Sequence, residues 1–243
     1  MCDAFLAREE PEARGVEPAG GGPPLGELAR LFERHQSLAA AWDACPRAGR
    51  ALQLFEAARR AGWPGSRPDR ALRLFACWVA RDARDEGGSG VEQGFSPALE
   101  AVRYLRGEVG ERELAEAHRE AMREVGAVLA TSAARCDPDA AVRVAAAHAL
   151  HPDARAAALG AGVWAERAYV WREARRRAPA GYERRAPAIG YGPILDADPA
   201  WHRELRLAAE ARVADGLRMW LGNPFSGRLP GAPAALVTEL LGP

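Results

Sequence analysis

Apolar side chains recur every three or four residues along most of this chain, which is the spacing of helices that bury one face. After Pro68, for example, Leu72 and Val79 fall on one face of a predicted helix. N-cap and proline signals begin other segments, as at Ser96-Pro97 and Asp137-Pro138. The pattern predicts an all-α fold, an irregular multi-helix bundle of about eight or nine helices. The predicted helices cover residues 25–44, 46–61, 68–84, 96–107, 111–134, 138–150, 153–177, 199–221 and 232–241.

Two stretches depart from the helical pattern and set the expected domain limits. Residues 1–24 are rich in Gly, Pro and Glu, and we expect a flexible N-terminal tail there. Residues 178–198 hold both isoleucines of the chain, two tyrosines and several prolines and glycines. They predict an irregular connection before the C-terminal helices. Residues 25–243 are predicted to form a single helical domain.

The composition supports the helical prediction and excludes several kinds of catalytic and nucleotide-binding site. The 243 residues include 54 Ala but only two Ile and two Thr, so good helix formers dominate. All 33 basic residues are arginine, and without lysine the chain has no pyridoxal phosphate Schiff base, Walker A loop or Ser–Lys dyad. The 33 acidic residues balance the arginines, which argues against a protein built mainly to coat nucleic acid.

Cysteine usage and targeting signals favour a cytoplasmic location. Cys2, Cys45, Cys77 and Cys136 show no CxxC spacing, which is typical of free thiols in a reducing compartment. The N-terminus lacks the basic and apolar regions of a signal peptide, and no run of about 18 apolar residues predicts a membrane span. We expect no membrane partner. We also expect no cofactor, since the glycine-rich stretch at 20–22 follows no predicted strand.

Motifs near both ends of the chain carry a family resemblance. The segment RALRLFACWVAR begins at Arg70 and leads into a helix pair that extends to Leu114, and the chain ends with VADGLRMWLGNPF and a short C-terminal segment. In this order they resemble a family of uncharacterised Ala-rich helical proteins from planctomycetes and myxobacteria, in which a C-terminal GNPF motif is the most specific element. The residues Ser226-Gly227-Arg228 depart from the family pattern. The resemblance implies a helical fold and assigns no activity and no site residue.

The segment from Trp171 to Arg185 is the densest basic stretch. It contains six Arg against two Glu, with aromatic residues interleaved. Guanidinium groups and aromatic rings suit contacts with single-stranded nucleic acid, whereas a solvated helix end would use the same arginines to stabilise the helix dipole. The candidate nucleic-acid-binding residues are Arg172, Arg175, Arg176, Arg177, Tyr182, Arg184 and Arg185.

Histidine and cysteine offer one weak set of metal ligands. His148 and His151 share a helix face, and Cys136 lies upstream of both. The chain has no Glu-x-x-His, HExxH or CxxC spacing. A helix C-terminus at which histidine stabilises the dipole explains the pair more simply, so we predict no metal site.

The motif Gly222-Asn223-Pro224-Phe225 predicts the end of the last long helix. Gly222 and Asn223 suit a left-handed backbone, and Pro224 prevents the helix from continuing. Phe225 is expected to fold back onto the preceding helix. The alternative is a recognition element in which Phe225 is exposed.

None of these patterns forms a catalytic apparatus, and GxSxG is absent. The leading hypothesis is a non-enzymatic helical protein-interaction or accessory module with a protein partner. The second is a nucleic-acid-associated accessory protein that uses residues 171–185. The third is an enzyme whose site assembles only in space.

Overall fold

The structure of the protein is a computed structural model that describes residues 37–60, 68–85, 96–130, 136–226 and 234–241. Within these ranges every regular element is helical and no strand occurs, which confirms the predicted all-α class. The predicted tail at 1–24 and the first part of the predicted helix 25–44 lie outside the described residues.

The described ranges contain eleven α-helices and one short 3-10 helix, somewhat more than predicted. Nine of the α-helices correspond to predicted segments, and the surplus lies in the connection at 178–198. The helices are α1 (Leu38–Asp43), α2 (Ala48–Arg60), α3 (Asp69–Asp85), α4 (Ser96–Leu105), α5 (Glu111–Val128), α6 (Pro138–Ala149), α7 (Ala154–Arg177), the 3-10 helix (Tyr182–Arg184), α8 (Ala186–Ile189), α9 (Gly192–Asp196), α10 (Pro199–Leu221) and α11 (Ala234–Leu241).

Aspartate side chains begin three of the central helices. The carboxylate of Asp137 accepts a hydrogen bond from the backbone N–H of Asp139 at 2.8 Å at the start of α6. Asp153 and Asp198 make the same kind of bond at the starts of α7 and α10. Each bond satisfies an N–H group that the first turn of a helix leaves open, and each such cap contributes about 1 kcal/mol.

Helix α7 lies at the centre of the fold and packs against α3, α6 and α10. Its Ala157, Ala161, Ala165 and Ala168 are completely buried along one side of the helix. Small side chains let the backbones of neighbouring helices approach closely. The abundance of alanine therefore allows the helices to pack tightly in the interior.

Two tyrosines order the connection between α7 and α10. Gly181 turns the chain after α7 with a φ of 81°, a left-handed value that glycine adopts without strain. The buried Tyr182 then donates its hydroxyl to the carbonyl oxygen of Gly190 at 3.0 Å. The N–H of Tyr191 donates to the carbonyl oxygen of Cys136 at 3.2 Å. The segment predicted as an irregular connection thus consists of the 3-10 helix, α8 and α9, tied to the start of α6.

A polar crosslink joins the three helices α3, α7 and α10. Asp82 of α3 accepts three hydrogen bonds from the Arg212 guanidinium of α10, and the closest contact is 2.9 Å. The hydroxyl of Tyr169, from α7, donates to the same carboxylate at 2.5 Å. The Arg212 guanidinium also stacks 4.6 Å from the centre of the Tyr169 ring. The crosslink satisfies partly buried polar groups and fixes how the helices cross.

Candidate functional sites

The structure divides the Arg-rich stretch of 171–185 between the interior and the surface. Arg172 and Tyr182 are buried, and Arg172 donates to the carbonyl oxygen of Ala83 in α3. Tyr182 stacks at 5.8 Å on Tyr191. Neither candidate can reach a nucleic acid without unfolding, because both side chains are used to hold the fold together.

Arg175 also holds helices together. Its guanidinium donates to Asp139 at 2.9 Å and to Asp137 at 3.3 Å, so it ties the end of α7 to the start of α6. It donates further to the hydroxyl of Tyr191 at 3.1 Å. Burial works against the charge of Arg175, but the hydrogen bond and charge of Asp139 outweigh it and raise the pKa of Arg175.

The other four arginines are exposed. Arg176 pairs with Glu173, and Arg177 lies 3.4 Å from Asp198 and stacks on Trp201. Arg184 and Arg185 form no ion pair or hydrogen bond through their side chains within the described residues. Of the seven candidates, these two alone are exposed without a partner inside the described part of the chain.

Helix α6 separates Cys136 from the two histidines of the weak metal set. Cys136 precedes α6 and His148 lies in its last turn, so the 12-residue helix places them roughly 18 Å apart. In the described ranges no group of three His, Cys, Asp or Glu side chains is arranged to hold a metal ion.

The structure instead brings His118 of α5 to the other two histidines. We call His118, His148 and His151 the histidine cluster. The rings of His118 and His151 lie 4.9 Å apart, edge to face. His148 packs directly on Gly160 of α7, where an added Cβ would lie 2.4 Å from its Nδ1. One signal for this cluster was present in the sequence, since His118 lies in the apolar register of α5, between Leu114 and Val125.

Burial keeps two of these imidazoles neutral. It lowers the pKa of His148 from 6.5 to about 4, and the charges of His118, His151 and Arg167 act in the same direction. Burial also lowers the pKa of His118, although the carbonyl oxygen of Ala147 opposes the change. His118 and His148 are therefore neutral imidazoles near neutral pH.

The GNPF motif closes the C-terminal end of α10 onto α1. Gly222 has a φ of 63° and ends α10, as the motif predicts. The side-chain oxygen of Asn223 accepts from the N–H of Phe225 at 3.0 Å, and its nitrogen donates to the carbonyl oxygen of Ala39 at 2.9 Å. Asn223 thus acts through side-chain hydrogen bonds to α1 and to the turn itself.

Phe225 is partly buried against aromatic rings from the start of the described chain. Its ring lies 6.0 Å from Trp42 of α1 and 6.3 Å from Phe55 of α2. These contacts with α1 and α2 were not predicted from the sequence, and the predicted contact of Phe225 with α10 stays a prediction. Pro224 is buried beside it. Residues Gly227 and Arg228 lie outside the described residues.

Comparisons of this chain with protein-family models, with curated proteins and with solved structures find no match. The resemblance to an Ala-rich helical family therefore stays a prediction.

A cleft with polar groups in its lining lies between α7 and α10. Glu166, Trp171, His202 and Glu210 contribute to its lining. The buried Glu210 carboxylate contacts Arg206 of the same helix and accepts a hydrogen bond from Arg47 at 2.9 Å. The carboxylate that could act as a base is thus held by two cations.

The three cysteines in the described ranges are buried. Cys45, Cys77 and Cys136 form no disulfide there. Burial raises the pKa of Cys77 to about 12, so its reactive thiolate is scarce at neutral pH. No described helix is long and apolar enough to cross a membrane.

The outward face of α10 carries an exposed apolar side chain beside exposed charges. Leu207 is 50% exposed, and with Leu99 of α4 it forms the pair of large apolar side chains that are exposed in the described ranges. Arg203 and Glu204 lie one turn before Leu207, both exposed and without an ion pair among the described residues. Exposed alanines extend the face on either side: Ala200, Ala208 and Ala211. Sequence periodicity did not single out this face.

Proposed function

We propose that the protein is a non-enzymatic helical protein-interaction or accessory module, and that the outward face of α10 contacts the partner. The observation that carries the proposal is Leu207, an apolar side chain half exposed beside two unpaired charges. The inward-facing Arg172, Arg175 and Arg212 are all engaged in holding helices to one another. Free thiols in the interior support a cytoplasmic location for this function.

The chemistry of the face describes the partner that would fit. An amphipathic helix could lie along α10 with an apolar side chain over Leu207. A carboxylate opposite Arg203 and a cation opposite Glu204 would set its direction, because charges at the rim of an interface select partner and register. The exposed alanines leave room for such a close approach.

Site-specific photocrosslinking in cells tests this surface. A benzophenone amino acid at position 207 should crosslink one discrete protein, whereas the same probe at position 120, on the exposed side of α5, should not. The crosslinked protein is then purified and its affinity measured directly. We expect Leu207→Asp to weaken binding at least about tenfold, as for a central apolar contact. Its melting temperature should stay unchanged, because the side chain is exposed.

Two outcomes would overturn the proposal. One is equal crosslinking from positions 207 and 120. The other is a purified partner whose affinity is the same for the wild type and for Leu207→Asp.

A second candidate function is contact with single-stranded nucleic acid through Arg184 and Arg185. Their free, adjacent guanidinium groups favour it, although the other five candidates are buried or paired. Fluorescence anisotropy with a labelled oligonucleotide at low and high salt tests this function. Binding that weakens with salt and is lost in Arg184→Ala/Arg185→Ala would support it, and no binding at low salt would reject it.

A further inference from the structure

We propose that the histidine cluster is a proton-operated latch, which holds α5 against α6 at neutral pH and releases it when the imidazoles are protonated. The latch joins three elements: His118 comes from α5, His148 from the last turn of α6, and His151 from the link between α6 and α7.

The closed state uses neutral rings. His118 Nδ1 lies 3.0 Å from the carbonyl oxygen of Ala147, so this nitrogen donates and ties α5 to the end of α6. His151 Nδ1 accepts from the N–H of Asp153 at 3.0 Å, which requires that nitrogen to be unprotonated. Once protonated it can only donate, and its acceptor is the Asp153 carbonyl oxygen at 3.3 Å. Protonation of His151 Nδ1 therefore breaks the hydrogen bond that the Asp153 N–H donates to it in the link between α6 and α7.

The surroundings of the cluster are cationic. Arg73 of α3 donates to the carbonyl oxygen of His151 at 2.9 Å and stacks on Tyr104 of α4. Arg167 of α7 opposes a charge on His148. The side chain of Asp153 accepts the N–H of Ala156 at the start of α7. The ionisable groups at the cluster, taken over all elements packed around it, are His118, His148, His151, Arg73, Arg167, Tyr104 and Asp153.

Helix α5 is the element that can move. Only Leu114, Ala121 and Val125 are buried in its 18 residues. Helix α7, by contrast, buries 13 of its 24 residues, so it belongs to the stable centre of the fold. Regions with few buried contacts are the first to open locally. Repulsion between protonated histidines where α5 packs on α6 would therefore separate these two helices rather than disturb α7.

The sign of the effect follows from linkage. The pKa of His148 is about 4 when buried and 6.5 when released, so the open state binds the proton more tightly. Between pH 7.5 and pH 5.0 the opening constant should rise about 30-fold for this residue alone.

Hydrogen exchange of the full chain at pH 7.5 and pH 5.0, corrected for intrinsic exchange rates, tests the latch. We expect amides of α5 to lose protection about 30-fold on acidification while those of α7 change little. In His148→Gln the loss in α5 should shrink to about threefold or less. His118→Gln, which removes the titrating ring of α5 and leaves His148 in place, provides a second variant and should reduce the loss less than His148→Gln does.

His202→Gln is the matched control, because His202 lies on α10 and is not among the groups that shift His148. It should behave as the wild type. The latch is rejected if α5 and α7 lose protection together, if α5 shows no loss at pH 5.0, or if the cluster variants and the control respond equally.

Discussion

The ring of Phe225 lies edge to face on Trp42, with their centres 6.0 Å apart, although one follows the last long helix and the other belongs to the first described helix. Trp42 is completely buried. Arg218, in the last turn of α10, donates to the carbonyl oxygens of Trp42 and Cys45. The GNPF turn thus closes one end of the helical assembly onto the other, and its contacts are structural.

Truncation of Phe225 should therefore destabilise the fold. Phe225→Ala removes the ring that contacts Trp42 and Phe55, and we expect a loss of about 2 kcal/mol, below the range for a fully buried phenylalanine. Urea unfolding followed by tryptophan fluorescence measures it. The exposed Leu207→Ala is the control and should cost less than about 0.5 kcal/mol. An unchanged urea midpoint for Phe225→Ala would favour a recognition role for the motif.

Asn223 should matter through its two hydrogen bonds. Asn223→Ala loses the donor to Ala39 and the acceptor for the Phe225 N–H, so we expect a cost of about 2 kcal/mol, near 1 for each bond. Ser226→Ala, which removes the exposed hydroxyl contact with the Asn223 carbonyl oxygen, should cost about 0.5 kcal/mol or less. Equal effects of the two substitutions would contradict this role.

Two helical glycines should respond to alanine in opposite directions. At Gly216 the new Cβ would lie 2.3 Å from the Trp78 indole, and the clash should cost about 1–3 kcal/mol. At Gly126 nothing lies within 4 Å, and the better helix propensity of alanine should add about 0.5–1 kcal/mol. Thermal melts of Gly216→Ala and Gly126→Ala compare them directly. A stabilised Gly216→Ala would show that Trp78 can move aside.

The Asp82 crosslink should show coupling between its members. The Arg212 side chain is 39% exposed, so water screens the ion pair and we expect a coupling energy of about 1 kcal/mol with Asp82. A double-mutant cycle of Asp82→Asn and Arg212→Met, followed by urea unfolding, gives this energy. Tyr169→Phe leaves the ion pair in place and should cost about 1 kcal/mol for the lost hydroxyl bond. Strict additivity in the cycle would mean that the pair contributes nothing.

Stability should fall in acid through His148. Its pKa is lowered to about 4 in the fold, so the stabilisation is complete above pH 6.5 and declines as the pH falls toward 4. The loss amounts to about 3 kcal/mol across this window. We expect the difference in unfolding free energy between wild type and His148→Gln to shrink over the same window. A difference that stays constant from pH 7.5 to pH 4 would contradict the lowered pKa.

Local signals in the sequence determined most helix positions. Aspartate caps followed by proline or alanine set the starts of α6, α7 and α10, because the bonds that open a helix involve residues only two or three apart. Apolar periodicity and the abundance of alanine determined the all-α class for the same reason. The short helices α8 and α9 were not predicted. Tyr182 and Tyr191 order this segment through hydrogen bonds to the backbone carbonyl groups of Gly190 and Cys136, which local sequence signals do not reveal.

Only the tertiary structure decided what the individual side chains do. Arg172 and Arg185 look alike in the sequence, yet the first is buried against α3 and the second is exposed. His118 reaches His151 only because α5 packs on the end of α6. Phe225 contacts Trp42 only because the turn after α10 packs against α1. Charge, pKa and burial depend on neighbours that are remote in the sequence, and helix packing alone brings those neighbours together.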